Sequence, residues 1–153
     1  MAYLDMVGIN TAITFLGTTY PSLAAVFTLP EPSRNGSTMR GYRLGAGSKG
    51  DRRAVLALGG VHARELVNPD MLISLSIKLC QAYTDGTGLD FGGTSFSSTD
   101  VKLVLDALDV YVIPVVNPDG REFVQSPSGM AMWRKNRALI PGSSYPPLEG
   151  RGR

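Results

Sequence analysis

Apolar and polar residues follow one another along this chain at spacings that predict secondary structure. Residues 3–18 place apolar side chains at helical spacing and predict a helix. Residues 23–29 predict a strand that ends at Pro30 and Pro32, and residues 39–44 predict a second strand beyond the turn signal Asn35-Gly36, so the two could form a β-hairpin. The first 44 residues are therefore expected to contain one helix and two paired strands.

A strand followed by a helix is predicted next. Residues 54–58, AVLAL, are apolar at every position, which favours a strand that is covered on both faces in the middle of a sheet. Asn68 is a good N-cap and Pro69 suits the first helical position, so a helix is expected to start there. Its predicted inner face comprises Met71, Leu72, Leu75, Leu79 and Tyr83, with Cys80 packed nearby as a small hydrophobe.

The same alternation continues further along the chain. Residues 84–98 are rich in glycine and serine and predict a loop, whereas residues 100–108 predict a short helix. Residues 109–116 predict another apolar strand, and residues 117–120, NPDG, predict a turn. Strands that alternate with helices in this way indicate an α/β fold with parallel neighbouring strands.

Composition and charge exclude several classes of protein. A chain of 153 residues fits one domain, and its 43% hydrophobic and 18% charged residues are typical of a chain with a folded core. The net charge is only +2, and the basic excess lies in residues 130–153, with five Lys or Arg against one acidic residue. This excess is too small to predict a nucleic-acid partner.

Cysteine content and hydropathy bear on the compartment. Cys80 is the only cysteine, so the chain can form neither an intrachain disulfide nor a cysteine-based zinc site. No signal peptide is recognisable at residues 1–10, and no apolar stretch is long enough to span a membrane. We therefore expect a cytoplasmic chain without a membrane partner.

The only histidine lies in residues 59–65, GGVHARE, between the predicted strand and helix. Ligand sites of open α/β sheets lie beyond the carboxyl ends of the strands, which is where this segment falls. The imidazole of His62 and the carboxylate of Glu65 are three residues apart, and zinc accepts both kinds of donor. The alternative is a surface salt bridge between Arg64 and Glu65 with no metal.

Three segments in order, GGVHARE, NPDG and MWRKNR (residues 132–137), resemble the M14 family of zinc carboxypeptidases, the carboxypeptidase A/B group. The resemblance implies a mixed, largely parallel central sheet flanked by helices. It also implies that residues 1–153 form one truncated peptidase domain, roughly the first half of the family's catalytic domain. We expect residues 138–153, which are rich in Pro, Gly and Ser, to form a flexible tail.

The resemblance assigns roles to four residues. His62 and Glu65 would bind the zinc ion, and Arg64 would help to hold the substrate. Arg134 would bind substrate and stabilise the oxyanion, a role that a permanently charged guanidinium suits. Without the resemblance, Arg134 is one member of a solvated basic run, Trp133 is a packing anchor and residues 117–120 only shape a turn.

The function implied is zinc-dependent hydrolysis of the C-terminal peptide bond of peptides or proteins. The family's third zinc ligand is a second histidine, which this chain lacks, and its general-base glutamate also lies in the family's second half. The 153 residues alone are thus expected to be inactive or weakly active. The alternative is a non-catalytic fragment that binds peptides or partners through Arg64 and Arg134.

Two further expectations follow from the resemblance. Related deacylases or amidases share the His-x-x-Glu corner, but MWRKNR after NPDG favours a carboxypeptidase. An incomplete sheet would leave an unpaired edge through which copies of the chain could associate. A longer parent protein could be secreted, as relatives of the complete family often are.

Overall fold

The computed structural model describes residues 3–47 and 52–137. The residues 138–153, expected to form a flexible tail, lie outside the described residues. The described elements are, in chain order, α1 (Met6–Thr19), β1 (Ala24–Thr28), β2 (Arg40–Leu44), β3 (Arg53–Leu58), α2 (Val67–Asp85), β4 (Leu89–Phe91), β5 (Thr94–Phe96), α3 (Ser98–Ala107), β6 (Leu108–Ile113) and α4 (Pro118–Gln125).

The first helix confirms the expectation from the sequence. Asp5 caps α1, and its side chain accepts a hydrogen bond of 2.7 Å from the backbone N–H of Gly8. Ile9, Ile13 and Leu16 recur at helical spacing and are buried against the sheet and α2. The spacing of these apolar residues therefore fixes the face by which α1 packs.

The sheet confirms the α/β class and its mixed character. Its strand order is β1-β2-β6-β3. β1 and β2 form the predicted antiparallel hairpin, and β2 also pairs antiparallel with β6. β3 and β6 are parallel, so their carboxyl ends meet at the same edge of the sheet. Among the described strands, antiparallel pairs thus outnumber the parallel pair.

The position predicted for the AVLAL strand is wrong. β3 lies at the edge of the four-stranded sheet, and Val55, Leu56 and Leu58 are exposed. An all-apolar run indicates that a strand tolerates burial on both faces, but it does not specify which neighbours supply that burial. Within residues 3–47 and 52–137, β6 is the strand that pairs with β3.

The predicted start and inner face of α2 are also wrong in part. The helix begins at Val67, and its N-cap, Leu66, makes no side-chain capping bond, so Asn68 lies within the first turn. Leu72, Leu79 and Tyr83 pack partly buried against the core, as predicted, and Cys80 is fully buried. The residues of α2 that are buried are Pro69, Ile73, Ser76, Cys80 and Ala82, whereas Met71 and Leu75 are exposed.

Two segments predicted to be irregular form regular structure. The glycine-rich loop contains the antiparallel hairpin of β4 and β5, whose turn at Gly92-Gly93 uses the positive φ values of 60° and 91° that glycine favours. Residues 117–120, NPDG, were expected to form a turn, but they form the start of α4. Asn117 is the N-cap of this helix and Pro118 is its first residue. Glycine, serine and proline are typical of irregular loops, but here Gly92-Gly93 form a hairpin turn and Asn117-Pro118 start a helix.

The apolar core lies between the sheet and the helices α1, α2 and α3. Tyr42 at its centre is fully buried, and its hydroxyl donates a 2.9 Å hydrogen bond to Ser76. The buried apolar residues of the core cluster are Ile9, Ile13, Leu16, Leu23, Ala24, Tyr42, Leu44, Ile73, Cys80, Leu105, Val112 and Val115.

No described helix is long and apolar enough to cross a lipid bilayer.

Candidate metal and substrate site

The segment between β3 and α2 turns tightly at the carboxyl ends of the parallel strands. Gly59 and Gly60 follow β3, and a Cβ atom on Gly59 would lie 2.4 Å from the carbonyl oxygen of Pro114. Gly60 has a φ of 55°, in the left-handed region. The backbone N–H of Val116 donates to the Gly59 carbonyl at 2.9 Å, so the segment is fixed beside the residues that follow β6.

His62 and Glu65 face each other on this segment. Nδ1 of His62 forms a hydrogen bond with Oε1 of Glu65, and both side chains are about one-third exposed. The bond with His62 is the main cause that lowers the pKa of the Glu65 carboxyl, against the opposing effect of desolvation. The charge of Arg134 also lowers this pKa.

His62 and Glu65 offer the kinds of donor atom that zinc binds. An imidazole nitrogen and a carboxylate oxygen are both ordinary zinc ligands, and the two side chains already meet. Structural and catalytic zinc sites take at least three protein ligands. Across the described residues, no group of three or more His, Cys, Asp or Glu side chains could hold a metal ion.

Arg134 lies next to the histidine segment. It follows α4, its side chain is exposed, and its carbonyl oxygen accepts a 2.9 Å hydrogen bond from the backbone N–H of Ala63. A cavity of about 440 Å³ opens between the two segments. The residues that line it are Val61, His62, Val116, Asn117, Arg134, Lys135 and Asn136.

Arg64 takes a different place from the other predicted site residues. Its side chain is exposed and does not line the cavity that His62 and Arg134 share. Within the described residues, Arg64 and Glu65 form no salt bridge, because Glu65 is paired with His62 instead. The salt bridge between Arg64 and Glu65, which was the alternative to a metal site, is therefore not formed.

A larger apolar cavity lies elsewhere. It has a volume of about 880 Å³ and lies between α2 and the β4-β5 hairpin, where Met71, Leu75, Phe91 and Phe96 form much of its wall. His62 does not line it. Its wall is mostly apolar, and the acidic residue that lines it, Asp70, forms an ion pair with the buried Arg121.

Two residues of the region were not recognised from the sequence. Asn117 lines the cavity and contacts both segments that form it. Arg121 is fully buried in α4 and donates to the carbonyl oxygens of Leu4 and Leu66 and to the carboxylate of Asp70, which ties α4 to the start of α2. The N-cap and first-position signals of NPDG could have located Asn117, but nothing in the sequence marks Arg121 as buried.

Trp133 is the packing anchor that the sequence favoured. It is buried, and its ring meets Phe123 edge-on at a centroid distance of 5.5 Å. Its Nε1–H donates a 2.7 Å hydrogen bond to the carbonyl oxygen of Lys135. The guanidinium of Arg137 stacks 3.8 Å from the centre of the Phe123 ring, so this aromatic pair holds the segment that carries Arg134.

Comparison with known families agrees with this geometry. A sequence model of the M14 peptidases, described as zinc carboxypeptidase, matches residues 9–146, which is most of the chain. The chain belongs to the zinc carboxypeptidase family. Both segments that carry the candidate site lie within the match.

Two relatives show what share of a carboxypeptidase this chain matches. It is 30% identical over 115 residues to metallocarboxypeptidase A of Trichophyton tonsurans, covering 74% of this chain and 24% of the relative. It is 30% identical over 137 residues to carboxypeptidase B of Astacus astacus, covering 90% of this chain and 39% of the relative. The chain thus spans well under half the length of these relatives.

Solved structures show the same fold. The bovine thrombin-activatable fibrinolysis inhibitor, solved in complex with a tick carboxypeptidase inhibitor, is 22% identical with a TM-score of 0.71, and the match covers 94% of this chain and 40% of that one. Carboxypeptidase A of Helicoverpa armigera is 21% identical with a TM-score of 0.72, covering 92% of this chain and 30% of that one. At these identities the likeness establishes the fold.

Proposed function

We propose that this chain carries part of a zinc carboxypeptidase site that hydrolyses the C-terminal peptide bond of peptides or proteins. The observation that carries the proposal is the meeting of His62 with Glu65 at the carboxyl end of β3, beside a cavity that Arg134 also lines. In this proposal His62 and Glu65 hold zinc. The metal, when bound, polarises the scissile carbonyl and lowers the pKa of its water.

The two arginines bind the peptide in this proposal. Arg134 lines the cavity with His62, so its guanidinium can donate hydrogen bonds to an oxygen that becomes negative there. Arg64 lies on the same segment but outside this cavity, where it would hold a more distant part of the peptide. Because the whole chain has one histidine, two ligands from this chain give weak zinc binding, and the 153 residues alone are inactive or weakly active.

Zinc affinity of the purified chain, measured by equilibrium dialysis, tests the proposal. We expect His62→Ala and Glu65→Gln each to weaken zinc binding by at least about tenfold, because each removes one of two ligands. Glu122→Gln is the matched control, since it removes the same charge from an exposed position in α4 and should leave the affinity unchanged. Equal zinc binding by all four chains would contradict the metal site.

A second candidate function is peptide binding without catalysis. It is favoured by the two exposed arginines, Arg64 and Arg134, which attract a terminal carboxylate whether or not metal is bound. Binding of a labelled peptide that is lost in Arg134→Ala and is the same with and without zinc would support this candidate. Release of the C-terminal residue that requires zinc would support the carboxypeptidase instead.

We also propose that copies of the chain associate through β3. The support is the position of this strand at the sheet edge, with apolar side chains exposed on it. An exposed apolar edge strand presents unpaired backbone N–H and C=O groups that pair readily with a strand of another molecule.

A further inference from the structure

We propose that Asn117 is a positioning residue that holds the segment carrying His62 and the segment carrying Arg134 in one fixed arrangement. The chemistry that this arrangement serves rests on the proposed function, but the arrangement itself is a property of the chain without metal. We call the set of hydrogen bonds donated by the side-chain amide of Asn117 to these two segments the Asn117 clamp.

The clamp joins the two segments through their carbonyl oxygens. Nδ2 of Asn117 donates to the carbonyl of Val61 at 3.4 Å and to the carbonyl of Lys135 at 3.3 Å. Val61 directly precedes His62, and Lys135 directly follows Arg134. One amide nitrogen therefore bridges the residues next to the proposed zinc ligand and next to the proposed oxyanion group.

The other polar groups of Asn117 fix the amide in place. Its Oδ1 accepts a 3.0 Å hydrogen bond from the N–H of Gly120, which caps α4. Its backbone N–H donates to the carbonyl of Gly60 at 3.1 Å. Asn117 is buried, so these bonds form away from solvent. A carboxamide offers two N–H donors beside an acceptor, which neither serine nor aspartate can supply at this position.

Gly120 leaves the room that the clamp requires. A Cβ atom on Gly120 would lie 2.5 Å from Nδ2 of Asn117 and 2.8 Å from the Cβ of Ala63. The first turn of α4 therefore packs directly against the histidine segment, and Ala63 between them is buried. The close approach of α4 and the position of the Asn117 amide depend on the same absence of a side chain.

Two neighbouring hydrogen bonds report on the clamp. The N–H of Ala63 donates to the carbonyl of Arg134, so exchange of this amide with solvent measures how firmly the two segments are joined. The Lys135 carbonyl that accepts from Asn117 also accepts from Nε1 of Trp133. Trp133 is the only tryptophan of the chain, so its fluorescence reports on this segment alone.

The experiment compares the metal-free wild-type chain with Asn117→Ser and Asn117→Asp. Both substitutions keep an oxygen that can cap α4, but both remove the amide donors, and aspartate places a negative charge against two carbonyl oxygens. Hydrogen exchange of residues 61–66 is measured by mass spectrometry, and the emission of Trp133 is measured with and without acrylamide.

We expect residues 61–66 to exchange about tenfold faster in both variants, since each loses two hydrogen bonds of ordinary strength. The Trp133 emission should shift to the red and become easier to quench, most strongly in Asn117→Asp. Ser97→Ala is the matched control, because Ser97 caps α3, lies on neither segment and does not line the cavity, so its loss removes a helix cap alone. This control should leave both readouts at the wild-type level.

A role limited to capping α4 predicts a different result. Aspartate is as good a cap as asparagine, so Asn117→Asp would then match the wild type in exchange and in emission, which would overturn the proposal. Loss of the whole fold in Asn117→Ser would overturn it too, because the clamp confines the effect to two segments. Since both readouts use metal-free protein, a failure of zinc to bind would count against the proposed function and leave the clamp to be judged separately.

Discussion

At the scale of single residues, a buried carboxylate in the sheet, outside the candidate site, is held by two arginines. Asp109 is buried at the start of β6 and pairs with Arg43 at 2.6 Å and with Arg52 at 2.7 Å. The hydrogen bond from Arg43 is the main cause that holds the pKa of Asp109 below its usual range, and Arg52 acts in the same direction. This cluster joins β2, β6 and the residue before β3.

The stability of the chain should therefore depend on pH through Asp109. A carboxyl with a lowered folded pKa stabilises the fold fully above its unfolded pKa of about 3.9, and this contribution is lost as pH falls through the folded pKa. Asn at this position leaves two buried guanidinium groups without a counter-charge, so Asp109→Asn should cost about 3 to 5 kcal/mol at pH 7. Urea unfolding between pH 7 and pH 2 measures the difference.

The expected sign of this pH dependence is specific. The difference in unfolding free energy between wild type and Asp109→Asn should shrink as pH falls below about 4, because the unfolded chain then binds a proton at Asp109. It should vanish once pH has passed the lowered folded pKa and the native carboxyl is protonated as well. Asp85→Asn, at an exposed position on α2, is the control and should change the stability little at any pH. A cost of Asp109→Asn that stays constant down to pH 2 would contradict the account.

At the scale of elements, the packed face of α2 is set by its neighbours. The sequence places Met71 and Ile73 in the same apolar helix, and their hydrophobicity does not distinguish them. In the structure Met71 is 63% exposed, whereas Ile73 is 3% exposed and belongs to the core. The contacts of α2 with α1 and α3 decide which of the two is buried.

Alanine substitution of each residue tests this face. Ile73→Ala should lower the free energy of unfolding by about 2 to 5 kcal/mol, because it removes buried methyl groups and leaves a cavity. Met71→Ala should change it by no more than about 0.5 kcal/mol, since the side chain is largely in solvent. Chemical denaturation of both variants gives the comparison, and equal costs would favour the face expected from the sequence over the observed one.

At the scale of the whole molecule, the sheet ends in an apolar strand. Leu56 on β3 is 61% exposed, and within the described residues this strand pairs only with β6. Exposed apolar side chains on an edge strand favour pairing with a second molecule, which is the basis of the proposed self-association. The exposed edge lies in the same strand that leads to His62, so association there would approach the candidate site.

A charge on this strand should weaken association. Leu56→Lys is expected to shift the chain towards the monomer in sedimentation velocity over a range of concentrations, because a lysine on an edge strand opposes pairing. Leu103→Lys is the matched control, since Leu103 is exposed to a similar extent on α3 and away from the edge. A monomeric wild-type chain at every concentration, or an equal effect of both lysines, would argue against association through β3.

The sequence by itself determined those features of the chain that depend on local chemistry. They are several of the helices and strands, and the proximity of two candidate site residues. The helix α1, the hairpin of β1 and β2, the helix α3 and the strand β6 follow from signals within a few residues of each element. The same is true of His62 and Glu65, because three residues on a short turn cannot place them far apart. The family was also identifiable from three short segments of sequence.

Only the tertiary structure decided the features that depend on distant neighbours. The edge position of β3, the buried face of α2 and the burial of Arg121 are set by which elements pack together, and the local sequence does not encode that choice. The exclusion of Arg64 from the cavity and the bridge from Asn117 to both site segments arise in the same way. The two hydrogen bonds of this bridge join residues that are 56 and 18 positions apart in the sequence, so they form only once the chain has folded.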